Sequence, residues 1–426
     1  MTYPVLSLHL NGTGVVAKRD LGGDIHLVFQ AEAVREERTG IHARLEISLG
    51  NVSLAWTVCN VEKDEARLRL ANRATRQLSK EQRGDYQPDY LQHDLDYFCR
   101  HLWEVFLGQF SPQKTIGLEN WEPDFLLKPY IIRGGGTILF APPKTLKSYM
   151  ALLMAQSVNT GSSKLWPVQY ENTLFVNLER SHISVQGRLA RVNAALGLAV
   201  DMPLHILAGR GRSLKSLVPV LERYIAANGI TVGVLDSISR TGMGGLIAPE
   251  EVNPVIDMLS HLFPSWLALA HTPRVSEEHP WGGQMWDAGA DILLRLKSQV
   301  SERYPLLMGV VLAVSAANDM PIPAPQIWEI DFSQGFSISR ATLADYPELA
   351  SAFKMSLTQQ ILSYLIEKGK ATASQLSREL DRNRGQINTI LKNDRRFIQV
   401  ATGTKGQIFY GVRQTPIPES PNSGAK

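Results

Sequence analysis

The stretch TILFAPPKTLKSYMALLMAQ, Thr137 to Gln156, holds two residues whose order suits phosphate chemistry. Lys147 is an ammonium on a long stem and Ser148 a small hydroxyl. Both follow a short loop set between an apolar run and a helical pattern. Backbone N–H groups of such a loop converge on phosphate oxygens, the lysine reaches the β- and γ-phosphates, and the hydroxyl holds Mg2+. The predicted cradle for ATP is Ala141, Pro142, Pro143, Lys144, Thr145, Leu146, Lys147, Ser148 and Tyr149. Ala141 stands at the first glycine position of the pattern and Leu146 at the second. Alanine is a mild departure, because the position mainly needs a small side chain. Leucine is a larger one, since glycine relaxes the backbone and lets phosphate approach. A plain strand-to-helix turn would also give a bare Lys-Ser, and the strand-loop-helix context favours ATP.

Three further polar residues follow apolar runs of the same kind. Glu179 comes after NTLFVNL, Asp236 ends TVGVLD, and His271 ends WLALAH. A parallel sheet presents its ligand chemistry at the carboxyl ends of its strands. Either acid alone reads equally well as a helix cap. Three polar strand ends in register behind a phosphate loop are better explained as a nucleotide site.

Positioning these residues requires a particular set of elements. Between residues 111 and 345, the runs GTILFA, NTLFVNLE, HILAG, TVGVLDSI, WLALAHT, DILLRL and MGVVLAVSA alternate with helical patterns. That order means an α/β domain, a mainly parallel sheet covered by helices on both faces. Residues 1–110 read as a β-rich domain: DIHLVFQAEAV, HARLEISLG, SLAWTVCNV and ARLRLAN carry period-two patterns. A helix closes it, with Leu91, Leu95, Phe98, Leu102 and Phe106 at helical spacing. No chemistry shows there, and the expected role is structural or interactive.

Residues 356–413 read as a winged helix-turn-helix: three short helices, then two strands around a Gly-containing turn. The third helix, RGQINTILKND, turns Ile387, Ile390 and Leu391 inward. Its other faces carry Arg382, Arg384, Gln386, Asn388 and Lys392, which can reach phosphates and base edges, with Lys405 at the wing tip. This segment holds ten Lys/Arg against four Asp/Glu, whereas the whole chain carries a net charge of only +3. The basic character is therefore local, and duplex DNA is the expected partner; protein contacts are the other reading. Residues 414–426 are rich in Pro and Ser and are expected to be disordered.

The pattern RGGGTILFAPPKTLKS, LFVNLERSHISVQGRLARVNAALG, GVLDSISR and LALAHTPR resembles the RepA-type branch of RecA-fold ATPases, relatives of the DnaB hexameric helicases. The resemblance spans roughly residues 115 to 335. It implies a RecA-like P-loop core, and members often carry a Pro-Pro-Lys loop with a bulky residue at the second glycine position. By resemblance Lys147 and Ser148 are the Walker A residues, Glu179 is the base that polarises the attacking water, and Asp236 is the Walker B acid that holds Mg2+ through water. His271 is the γ-phosphate sensor. The implied protein is a homo-oligomer, a hexamer in the family pattern, that moves or unwinds single-stranded DNA through its core. It would serve replication or maintenance of a plasmid, phage or other mobile element. Two departures touch the subunit boundary: Trp281 stands where an arginine precedes Gly282-Gly283, and Ala316 replaces a later lysine. Hydrolysis is then expected to be slow unless Arg274, Arg295 or another arginine substitutes. An ATP-gated DNA-binding or loader protein without motor activity is the second reading.

Composition bounds these expectations. A chain of 426 residues with 44% apolar and 20% charged residues fits two or three globular domains. It has no run of 18 apolar residues and no signal-peptide pattern. Two isolated cysteines, Cys59 and Cys99, suit a reducing compartment as free thiols, so cytoplasm is the expected location.

Overall fold

The computed structural model describes residues 6–11, 14–22, 25–83, 86–110, 112, 114–242, 244–246, 248–273, 278–282, 284–301, 304–333, 335–341, 346, 348–349, 356–380, 382–403 and 407–413. They fall into two compact units, Met1–Trp121 with Ser216–Asn228, and Glu122–Lys215 with Gly229–Lys426.

In the first unit, strands Leu8–Asn11, Gly14–Gly22, Ile25–Glu37, Gly40–Leu49 and Val52–Asn60 form an antiparallel sheet in chain order. Alternation decides the faces: Ala43, Leu45 and Ile47 are buried, whereas Arg44 and Glu46 between them are partly exposed. Helix Pro88–Leu107 lays Leu91, Leu95, Phe98 and Leu102 into the same core, with the Phe98 and Phe29 rings 6.1 Å apart. Arg19 and Asp94 form a buried ion pair there, completed by the Tyr86 hydroxyl donating to Asp94 at 2.8 Å. The stretch ARLRLAN, expected as a strand, lies inside helix Asp64–Gln77. Leu68 and Leu70 mimic a two-residue period, but Leu70, Ala71 and Ala74 share one helical face and are buried, while Leu68 is exposed. Acids Asp64 and Glu65 sit in the first turn, where they complement the helix dipole. Cys59 and Cys99 are free, and burial pushes both thiols up.

The second unit is built on a nine-stranded sheet. Six strands, His205–Ala208, Thr173–Asn177, Val232–Asp236, Ser265–His271, Gly136–Ala141 and Ile292–Val300, run parallel in that spatial order. Leu307–Ala317, Gln326–Asp331 and Ser337–Arg340 extend it antiparallel, so the sheet is mostly parallel. The strands Gly136–Ala141, Thr173–Asn177 and Val232–Asp236 are buried at every residue, as strands covered on both faces must be. Gly136 opens the central strand, where a Cβ would run into the Trp266 ring.

Toward the carboxyl end of the chain, helices Leu357–Lys368, Ala373–Glu379 and Arg384–Asn393 precede strands Phe397–Thr402 and Ile408–Val412. Ala371–Thr372 adds a third, short strand. Ser356 and Thr372 begin two of the helices with capping boxes, and the Asn383 side chain caps the third. Ile361, Leu365, Leu376, Ile387, Leu391 and Tyr410 form its core. Among the described residues no helix is long and apolar enough to cross a membrane.

Candidate active site

Strand order assembles the site. Ala141 pairs with His271, and Asp236 pairs with Asn177, two residues before Glu179. The ends of four neighbouring strands therefore meet at one edge of the sheet, and a cleft of about 290 Å³ opens there. Lys144, Thr145, Leu146, Lys147, Ser148, Tyr149, Glu179, Asp236 and His271 all line it.

The loop after Ala141 reaches helix Lys147–Thr160 through two left-handed residues, Lys144 and Leu146, each with φ 67°. Leu146 thus adopts the conformation for which glycine is the usual choice, at a cost of about 1–2 kcal/mol. Its side chain packs on the central core. Ala141 and Pro142 contribute carbonyls rather than cleft lining. The Lys147 ammonium donates to the Ala141 carbonyl at 2.6 Å and to the Pro142 carbonyl at 3.0 Å, and Thr145 also donates to Pro142. Pro143 lies in the turn between them. Burial lowers the Lys147 pKa to about 8, against the pull of Asp236 and Glu179.

His271 stands between the lysine and the acid. Its Nδ1 is 3.2 Å from the Lys147 ammonium and its Nε2 is 3.8 Å from Glu179 Oε1. An ammonium can only donate, so Nδ1 accepts and the ring proton sits on Nε2, facing the carboxylate. The second distance is longer than a hydrogen bond. His271, then the hydroxyls of Ser237 and Ser239, hold the Glu179 carboxyl down to about 2 despite its partial burial. Asp236 is raised instead, because burial dominates; the nearby Ser148 hydroxyl, Arg180 and Arg188 favour its charged form, and Glu179 opposes it. Among the described residues no cluster of three or more His, Cys, Asp or Glu gathers as a metal site. The paired oxygens of Ser148 and Asp236 are hard donors that suit a divalent cation whose remaining ligands are phosphate and water.

Residues 117–266 match the family model of the AAA domain. The match supports an AAA/P-loop ATPase family for the central region. It takes in Lys147, Glu179 and Asp236 and stops before His271. No curated protein matches the chain.

Around the cleft the structure adds groups that strand-end reasoning missed. Arg180 and Arg188 line the same cleft. Arg188 lies over the Tyr149 ring at 4.8 Å, and Arg191 donates to the Tyr149 hydroxyl. Asn177, fully buried, accepts from the Arg180 N–H and donates to the Arg180 carbonyl, closing the turn that presents Glu179. Trp281 donates its backbone N–H to the His271 carbonyl at 2.7 Å and its indole N–H to Gly245. Arg295 lies on strand Ile292–Val300 beside Phe140, and Ala316 on Leu307–Ala317; neither lines the cleft. Arg274, Gly283, Lys405 and residues 414–426 lie outside the described residues. Arg382, Arg384, Gln386 and Lys392 are exposed at or on helix Arg384–Asn393, and Asn388 is partly buried.

Proposed function

We propose that this protein is an ATP-hydrolysing, RepA-like DNA helicase or translocase, acting in replication or maintenance of a plasmid, phage or other mobile element. The observation that carries the reading is the cleft that unites Lys147, Ser148, Asp236, Glu179 and His271. On ATP binding, the Lys147 ammonium exchanges its two carbonyl partners for phosphate oxygens. A divalent cation bound with the nucleotide would rest on Ser148 and Asp236 and screen phosphate charge. Glu179 orients and polarises the attacking water, and His271, released by Lys147, faces the γ-phosphate. Arg180 and Arg188 supply positive charge from within the same chain, the task that Trp281 does not perform from a neighbouring subunit.

The carboxyl-terminal module is read as a winged helix-turn-helix that holds duplex DNA through Arg382, Arg384, Gln386, Asn388, Lys392 and Lys405. Single-stranded DNA would pass along the ATPase core of a homo-oligomer, a hexamer in the family pattern. Trp281 favours a second reading, an ATP-gated loader with slow turnover. ATP turnover with and without single-stranded DNA, beside a strand-displacement assay, separates the two. Stimulation with displacement supports the motor; slow turnover indifferent to DNA supports the loader.

A further inference from the structure

We propose that Ser237 and Ser239 are positioning residues for Glu179, pinning its Oε1 oxygen so that Oε2 is the one presented to the attacking water. The proposal rests on the ATPase reading above and deepens it. Ser237 Oγ donates to Glu179 Oε1 at 2.5 Å, Ser239 Oγ reaches the same oxygen at 3.2 Å, and the two hydroxyls are 2.7 Å apart. His271 Nε2 approaches Oε1 as well. Among the described residues no hydrogen bond or ion pair falls on Oε2. One carboxylate oxygen is therefore committed and the other is free.

Two hydroxyl protons serve three contacts. Ser237 spends its proton on Glu179, and Ser239 shares its own between Ser237 Oγ and Oε1. The terminal torsion of a glutamate is broad and two-fold, so an unpinned carboxylate would wander. Both serines are placed by the chain that follows Asp236. Ser237 is 2% exposed at the strand end, and Ser239 sits exposed in the short 3-10 turn Ile238–Arg240. The segment that provides the buried Asp236 thus also aims the base on the neighbouring strand. In the reaction, the water oxygen bonds to the γ-phosphorus and a water proton goes to Oε2. The bond from the γ-phosphorus to the bridging oxygen breaks, and ADP leaves with that electron pair.

The test is ATP turnover and ATP affinity for Ser237→Ala, Ser237→Thr and Ser239→Ala, with Ser237→Ala repeated in a Glu179→Gln background under single-turnover conditions. Ser237→Ala is expected to lower kcat about tenfold with KM within about twofold, since misaimed groups lose rate rather than affinity. Ser239→Ala should cost about two- to threefold, and Ser237→Thr, which keeps a hydroxyl, should retain most activity. In the Glu179→Gln background Ser237→Ala should cause no further loss, because its effect passes through the carboxylate. Equal losses in both backgrounds, or wild-type kcat in Ser237→Ala, would overturn the proposal. A wild-type chain that neither binds nor turns over ATP fails the ATPase reading itself, and the proposal with it.

Discussion

In the cleft beside Lys147, charge is held away from water: Lys147 and Asp236 are buried, and Glu179 and His271 are partly so. Lys147 meets His271, His271 lies near Glu179, and Asp236 is coupled to Lys147 and Glu179 through charge. Along helix Arg384–Asn393 the cations Arg384 and Lys392 stand in solvent, as does Arg382 just before it. The two regions collect ionisable groups for opposite physical uses. Desolvated groups are coupled, so removing one leaves its partners uncompensated, and their pKa values move far from ordinary. Exposed cations act nearly independently and are screened by salt.

The sharpest way to break this comparison is to change Glu179, the proposed base. Glu179→Gln keeps the shape and loses the charge, so ATP turnover should fall about 10²- to 10⁴-fold while ATP affinity stays near wild type. Wild-type turnover in that variant would remove Glu179 from the chemistry. Lys147→Ala should weaken ATP binding about 100-fold, the worth of a charge-assisted hydrogen bond set, with the fold intact by circular dichroism. Unchanged affinity would end the phosphate-loop reading.

Coupling in the cleft also sets a pH dependence. Lys147 in the nucleotide-free protein has its pKa lowered to about 8, and phosphate would raise it. Between the two values binding takes up a proton. Affinity is therefore full below pH 8 and falls as pH rises, by up to about tenfold per unit. Titration calorimetry in two buffers of different ionisation heat reads the proton uptake directly. Lys147→Arg, charged throughout, should abolish the bend; a bend of equal size in that variant would assign it to another group.

The smallest expected effect belongs to the exposed region. Arg384→Ala with Lys392→Ala should lower duplex DNA affinity a few-fold. The slope of log affinity against log salt should become shallower by about 0.9 for each phosphate partner removed. Removing residues 356–426 should leave basal ATP turnover within about twofold, since none of the described residues among them lines the cleft. A gel-shift salt series on the three proteins decides it, and equal DNA affinity in all of them would assign the module to protein contacts.

Local pattern made these residues legible: Glu179, Asp236 and His271 directly follow or end apolar runs, and Lys147 and Ser148 close the short loop between such a run and a helical pattern. Strand order was not legible: nothing local says that Val232–Asp236 lies between Thr173–Asn177 and Ser265–His271. Arg188 was missed because it lies a helical turn and more beyond the nearest strand end, and only the fold returns it to the cleft. Ser237 and Ser239 did carry a signal, two hydroxyls at alternate positions immediately after an expected acid. The strands Gln326–Asp331 and Ser337–Arg340 are short and antiparallel, and their weak alternation gave no warning that the sheet continues. ARLRLAN shows the opposite failure, where two leucines imitated a strand inside a helix.

Leu146 carries a consequence for how the loop behaves in time. A glycine at that point would let the loop sample many conformations, and nucleotide would have to select one. A leucine held in the left-handed region and anchored in the core restricts that sampling before any ligand arrives. The loop amides should then exchange with deuterium slowly even in nucleotide-free protein, and ATP should slow them only modestly further.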